Sequence, residues 1–307
     1  MKKVLVIGAD GFLGRQLCNK LAHLGVEVSA LVASGIDYSA LEGFRGIKCI
    51  EFDFEMLEDL EEKNAFSKVD VLFHMAWAGV SSSAKNDYET QIKNISFGLK
   101  VLSFAVKHGI KRVIVPGSAA EYSCSSDVIN GNNIPAPSDL YSATKIATHY
   151  ICQTYALQHN IDFIWTAITS IYGPGRDDNN LISYTIKKLL KSEKPSFTKL
   201  EQQWDFLFID DLIDALIALG EKGKGGKVYP IGSGKNHPIF DYINIIHNMI
   251  NPDIPLGIGD LPYKSYKIDN QIMDITELKK DTGFEPKYSF NDGIKLTIDY
   301  FKNSYNV

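Results

Sequence analysis

The sequence predicts an α/β protein: a doubly wound parallel sheet with a smaller α/β lobe beside it. Three observations predict this. Short, continuous apolar runs alternate with helical stretches from Val4 to Ile168, the order that builds a parallel sheet covered on both faces. The first run ends in a glycine-rich turn, Gly8-Ala-Asp-Gly11-Phe-Leu-Gly14, that opens a helix. After residue 170 the alternation gives way to Gly173-Pro174-Gly175 and polar loops, which marks a change of architecture.

Each element follows from its local pattern. Val4–Ile7 is apolar throughout and suits a strand buried on both faces. Leu17, Leu21 and Leu24 recur at helical spacing, and Gly25 stops that helix. Strands are then expected at Val26–Val32, Ile47–Phe52, Val69–Phe73, Arg112–Val115 and Phe163–Ile168. Helices are expected near Leu57–Asn64, Tyr88–His108 and Ser142–His159. Beyond the glycine break, Asp177–Asn180 reads as a polar loop and Leu181–Lys191 as a helix. Asp205–Ile209 reads as a strand returning to the main sheet, followed by a helix at Asp210–Leu219 and a strand at Val228–Gly232. Helices near Phe240–Met249 and Ile275–Thr282 complete the lobe. The expected division is residues 1–167 with 204–232 for the sheet domain, and 168–203 with 233–307 for the lobe. Ligands of such sheets lie at the carboxyl ends of the strands, where a second lobe would cover them.

Composition narrows the function. Of 307 residues, 45% are hydrophobic and 22% charged, the balance of a soluble globular protein. A net charge of -5 argues against nucleic acid as a partner. No apolar run is long enough to cross a bilayer, and Met1-Lys-Lys leads into a short strand rather than a leader peptide. Cys18, Cys49, Cys124 and Cys152 are scattered without metal-ligand spacing, so buried reduced thiols, a cytoplasmic location and no metal are expected.

Two motifs carry chemistry. In the glycine turn, Gly8 permits the tight turn, Gly11 lets backbone approach a pyrophosphate, and Gly14 lets helix pack close to strand. Tyr141 and Lys145 stand one helical turn apart on one face, and an ammonium beside a phenol favours the phenolate. Such a pair can give or take the proton on oxygen when a carbonyl and an alcohol interconvert by hydride transfer. The same spacing recurs at Tyr184/Lys188 and Tyr263/Lys267, so only context singles out the first copy.

Together these motifs resemble the extended branch of the short-chain dehydrogenase/reductase superfamily, the NAD-dependent epimerase/dehydratase family, whose members modify nucleotide sugars on a Rossmann sheet. Further marks are Asp53 in Glu-Phe-Asp-Phe, His74-Met-Ala-Trp77, Asn94 and Gly117-Ser118-Ala-Ala-Glu-Tyr122. Tyr172-Gly-Pro-Gly175, Trp204–Asp211, Tyr229–Gly234 and Gly283–Lys287 match as well. The resemblance implies that Ser118 orients the substrate oxygen, Tyr141 is the general acid/base, and Lys145 binds the nicotinamide ribose and lowers the Tyr141 pKa. It assigns the glycine turn with Phe12 and Leu13 to the cofactor. Ser34, Asp53, Phe54, Met75, Ala76 and Asn94 join that set. Trp77, Ala119, Ser170, Arg176, Gln203 and Trp204 are its candidates around a nucleotide-sugar substrate. Members are often homodimers through the Tyr88–His108 and Ser142–His159 helices.

The resemblance also bears on the reaction. Family 4,6-dehydratases carry an Asp-Glu pair where this chain has Ala119 and Ala120, so dehydration is not expected. Glu121, one place later, suits a cap or an ion pair. The family acid that favours NAD falls at Val32, with Ala33 and Ser34 following and Asp37 further along, which leans the expectation to NADP(H) over NAD. Ala167, Ser170 and Trp204 replace polar or basic family residues, leaving Arg176 and Lys187 as candidates for the diphosphate. His74–Trp77, Gly117–Tyr122 and Asp269–Met273 are more similar to reductases of 4-keto-6-deoxy nucleotide sugars. Reduction at C4 is therefore the expected activity, with 4-epimerisation the alternative and a non-catalytic NAD(P)-binding regulator a distant third.

Overall fold

A computed structural model describes residues 1–60, 63–80, 84–124, 128–176, 178–263 and 270–305. Lys267 of the third Tyr/Lys pair, Asp269 of the Asp269–Met273 motif and Asp177 of the polar loop lie outside these residues.

The apolar runs become one seven-stranded sheet. Its spatial order is Val228–Ile231, Asp162–Ile168, Arg112–Pro116, Val71–His74, Lys3–Ile7, Glu27–Ala33 and Ile47–Phe52. Every pairing is parallel. Val4 and Val6 face a core layer that includes Leu17 and Leu212, whereas Leu5 and Ile7 face a layer that includes Val101 and Cys152. The sheet is thus covered on both sides, by the Phe12–His23 and Ile209–Lys222 helices on one and by Tyr88–Lys107 and Leu140–Gln158 on the other. Each large aliphatic side chain buried there contributes about 1.5–3 kcal/mol. The edge strand Ile47–Phe52 instead exposes Lys48 and Glu51, polar side chains suited to a sheet rim.

The strand order reverses between Lys3–Ile7 and Val71–His74, which fixes the crevice where a ligand of such a sheet binds. Among the described residues, four two-stranded sheets stand apart from the main one. One corrects an expectation: Phe206–Phe208 does not return to the main sheet but pairs in parallel with Ser170–Tyr172. The predicted helix at Leu57–Asn64 is a 3-10 turn, Phe54–Asp59, and a short helix, Lys63–Phe66. A closing helix, Phe290–Tyr305, was not expected; Ile294, Ile298 and Phe301 bury its inner face. Cys18 and Cys152 are buried and Cys49 half-buried, but Cys124 is exposed, against the expectation of four buried thiols. Among the described residues no helix is long and apolar enough to cross a membrane, and no cluster of residues is suited to a metal ion.

Candidate active site

The glycine turn is built by contact. Gly8 has φ +82°, and a Cβ there would lie 2.5 Å from the Ala76 nitrogen. A Cβ on Gly14 would lie 2.1 Å from the Gly8 carbonyl oxygen. Glycine is therefore required at both places by main-chain packing alone. Gly11 differs: its Cβ would meet nothing nearer than 3.4 Å, so nothing within the protein demands its bareness. It is the N-cap of Phe12–His23 and provides no side chain to cap that helix. The first amide groups of Phe12, Leu13 and Gly14 thus lack an intrahelical acceptor and form an anion-binding end. These residues fit a dinucleotide pyrophosphate.

The rim of this cradle is polar. The Ala33 amide donates to Asp10 Oδ1 (3.3 Å), tying the turn to the end of the second strand, a contact the glycine spacing did not reveal. Val32 is fully buried, so its lack of a carboxylate does not face solvent. Ser34 and Asp37 are exposed, and the Ser39 amide holds the Asp37 carboxyl below its usual range. Asp53 caps the 3-10 turn, its Oδ1 accepting from the Glu55 amide (2.8 Å), while Phe54 packs edge-on to Phe97. Asn94 bonds to the chain itself. Its Nδ2 donates to the Ala78 carbonyl and its Oδ1 accepts from the Ala78 amide, both at 3.0 Å. Both ends of the amide therefore hold the Met75–Gly79 loop, with Gln91 Nε2 donating to the Gly79 carbonyl (2.9 Å).

The loop places Trp77 against Tyr141 and Lys145. The Lys145 ammonium sits 3.6 Å from the centre of a Trp77 ring and donates to the Pro116 carbonyl (2.7 Å). It lies 5.9 Å from the Tyr141 ring centre. Trp77 meets the Tyr141 ring edge-on at 6.1 Å, and Lys85 Nζ approaches that ring at 4.8 Å. Tyr141 and Lys145 sit in the first turns of the Leu140–Gln158 helix, which Asp139 caps through the Ser142 amide. The expected depression of the Tyr141 pKa is absent. Burial dominates and pushes the phenol up to about 12, opposed by a hydrogen bond with Ser118. Burial also drives the Lys145 ammonium below its usual range, opposed by the Glu121 carboxylate.

Ser118 ends the segment after Arg112–Pro116 and caps a 3-10 turn, Ala119–Tyr122. The Ala120 amide donates to Ser118 Oγ (3.2 Å), and the Ser118 amide donates to Glu121 Oε1 (2.6 Å). This reciprocal capping box is the fate expected for Glu121. Sequence spacing did not show that Glu121 is fully buried or that Trp165 Nε1 donates to it (3.1 Å). Ala119 is buried and offers only a methyl group.

The substrate candidates divide. Trp204 Nε1 donates to Ser170 Oγ (3.0 Å), so these two meet. Gln203 instead accepts from Asn236 Nδ2 (3.3 Å), and its amide donates to Asn270. Arg176 is ion-paired with Asp178 (3.0 Å) and donates to the Ile171 carbonyl. Lys187 lies 5.9 Å from the Phe301 ring centre. The rival pair is structural: Tyr184 Oη accepts from the Ser196 amide (3.1 Å), and Lys188 pairs with Glu193 (2.5 Å).

This architecture is similar to that of UDP-glucose 4-epimerase from Thermotoga maritima, with a TM-score of 0.87, 24% identity and 99% of each chain covered. It is also similar to UDP-glucuronic acid 4-epimerase from Bacillus cereus, solved with UDP-glucuronic acid and NAD. There the TM-score is 0.86 at 23% identity, covering 99% of this chain and 100% of that one. At these identities the likeness shows the fold. CDP-abequose synthase of Salmonella typhimurium is 27% identical over 95% of this chain and 96% of its own length. The NAD dependent epimerase/dehydratase family profile matches residues 4–232. Since that match runs across every strand of the main sheet, the chain belongs to the NAD-dependent epimerase/dehydratase family.

Proposed function

We propose that this protein is an NAD-dependent nucleotide-sugar 4-epimerase. The observation that carries the reading is the convergence of Ser118, Tyr141 and Lys145 beside the glycine cradle. The relatives support epimerisation better than the reduction favoured by the sequence, because full-length structural neighbours are named as UDP-sugar 4-epimerases. NAD is preferred here over NADP(H): Asp37 stands exposed and ionised near the end of the second strand, suited to ribose hydroxyls.

NAD, when bound, supplies the hydride acceptor and donor. The chain supplies the rest. Ser118 Oγ orients the C4 oxygen, and Tyr141 Oη exchanges a proton with it. Burial keeps the phenol protonated, which suits returning that proton, while the hydrogen bond with Ser118 opposes that shift and favours the phenolate that removing it requires. Trp77 and Lys85 wall the reacting end, while Ser170 and Trp204 offer a second wall from the lobe. Ala119 and Ala120 leave no acid/base pair for dehydration.

We further take the Tyr88–Lys107 and Leu140–Gln158 helices as a homodimer face. Ile92 and Leu157 are exposed there, and Leu99, Tyr150, Ile151 and Tyr155 line a shallow groove.

The test is to incubate the purified protein with UDP-glucose or UDP-glucuronic acid and resolve the products. Approach to an equilibrium of C4 epimers without net cofactor consumption is expected. Stoichiometric consumption of NADPH with a 4-keto-6-deoxy nucleotide sugar, and no epimer, would replace this reading with the reductase.

A further inference from the structure

Glu121 is a fully buried carboxylate that makes no ion pair within contact distance among the described residues. It stands against the loop that carries Ser118. Its Oε1 accepts from the Ser118 amide (2.6 Å), and Trp165 Nε1 donates to its oxygens at 3.1 and 3.3 Å. The loop leaves no free space: a Cβ on Gly117 would lie 2.1 Å from Trp165 Nε1 and 2.6 Å from Glu121 Oε1. One residue before that glycine, the buried Lys145 ammonium donates to the Pro116 carbonyl (2.7 Å). It lies 5.8 Å from the centre of a Trp165 ring. The two groups therefore share Trp165 and the short run Pro116-Gly-Ser118.

The groups packed around them stay uncharged near neutrality. Burial pushes His74 down to about 3 and His149 down to about 4, so both imidazoles are neutral. Burial raises the Tyr122 and Tyr141 phenols, so neither ionises. Lys85, Asp139 and Arg176 lie toward Tyr141. A lone carboxylate or a lone ammonium in such an interior tends to neutralise itself. Two opposite ones hold each other in the charged form, and burial shifts each in the direction that the other opposes.

We propose that Glu121 is the buried counter-charge of Lys145, a positioning residue that keeps the lysine an ammonium while its hydrogen bonds hold the Ser118 loop in register. The proposal rests on reading Tyr141 and Lys145 as the acid/base pair. It gives Glu121 a part in that chemistry without contact with substrate or cofactor. An amine at position 145 could not stabilise a phenolate, whereas an ammonium can.

The test reads ionisation directly and does not use activity. In protein labelled at lysine Cε, the Lys145 resonance, assigned with Lys145→Arg, is followed against pH by NMR. In the unsubstituted protein Lys145 is expected to carry its proton at neutral pH. In Glu121→Gln, which keeps the shape and a hydrogen-bonding amide, its midpoint is expected to fall by about one unit or more. Glu121→Asp is expected to recover much of the shift. The reciprocal measurement covers a Gln variant that does not fold: in Lys145→Met, the Glu121 carboxyl midpoint is expected to rise by a similar amount. A Lys145 amine at neutral pH in the unsubstituted protein, or an unmoved midpoint in the partner variant, overturns the counter-charge. Failure of the epimerase reading would show separately, in the product assay of the unsubstituted enzyme.

Discussion

In the proposed reaction Tyr141 exchanges the proton, and its surroundings set the outcome of replacing it. Tyr141→Phe removes the exchangeable proton but keeps the ring that faces Trp77 and Lys85. Turnover is expected to fall roughly 10²–10⁴-fold. Cofactor affinity, measured by titration, is expected to stay within about twofold, since the ring's packing is kept. Near-normal turnover would assign the proton to another group. The pair itself was legible in the sequence, because the helix period places both side chains on one face. Its electrostatics were not. Spacing suggested an acidic phenol, but Lys145 turns to Pro116 and Trp77, and burial dominates the phenol. Glu121 was hidden for a similar reason. Its capping role is local and readable, whereas the N–H that buries it with a bond comes from Trp165, far along the chain.

Among the elements, the strands of the main sheet were readable because burial on both faces leaves near-continuous apolar runs. Partners were less readable. Phe206–Phe208 is apolar enough for the main sheet, yet its register is set by Ser170–Tyr172, and nothing in the run itself specifies that neighbour. The closing helix was missed although Ile294, Ile298 and Phe301 follow the helical period, because a polar residue stands at most other positions. Asn94 shows an element acting at a distance: from the middle of a helix it fixes the loop that carries Met75 and Trp77. Asn94→Ala is expected to destabilise the fold by about 1 kcal/mol, a modest loss because Ala78 is exposed and water replaces part of what is removed. Thermal melts with and without NAD check it. The melting shift produced by NAD is expected to shrink, since the loop borders the cradle; an unchanged shift would detach the loop from cofactor binding.

At the scale of the whole molecule, the paired helices opposite the glycine turn's own helix leave Ile92, Tyr150 and Leu157 uncovered. A second copy seated there is expected to double the mass measured by light scattering, and Tyr150→Glu is expected to return it to the monomer by placing a charge in an apolar seam. A monomeric unsubstituted protein at micromolar concentration would remove the dimer. The sheet also binds two distant parts of the chain into one evolutionary unit. At the reversal of strand order the backbone of Gly8 rests against the backbone of Ala76. A side chain added at position 8 collides with main-chain nitrogen and Cα, which no replacement of a neighbouring side chain can move out of the way. A mutational scan is therefore expected to find every substitution of Gly8 depleted, and depleted equally in backgrounds already altered at Ala76. Descent with a new residue at position 8 would require the two backbones to part first.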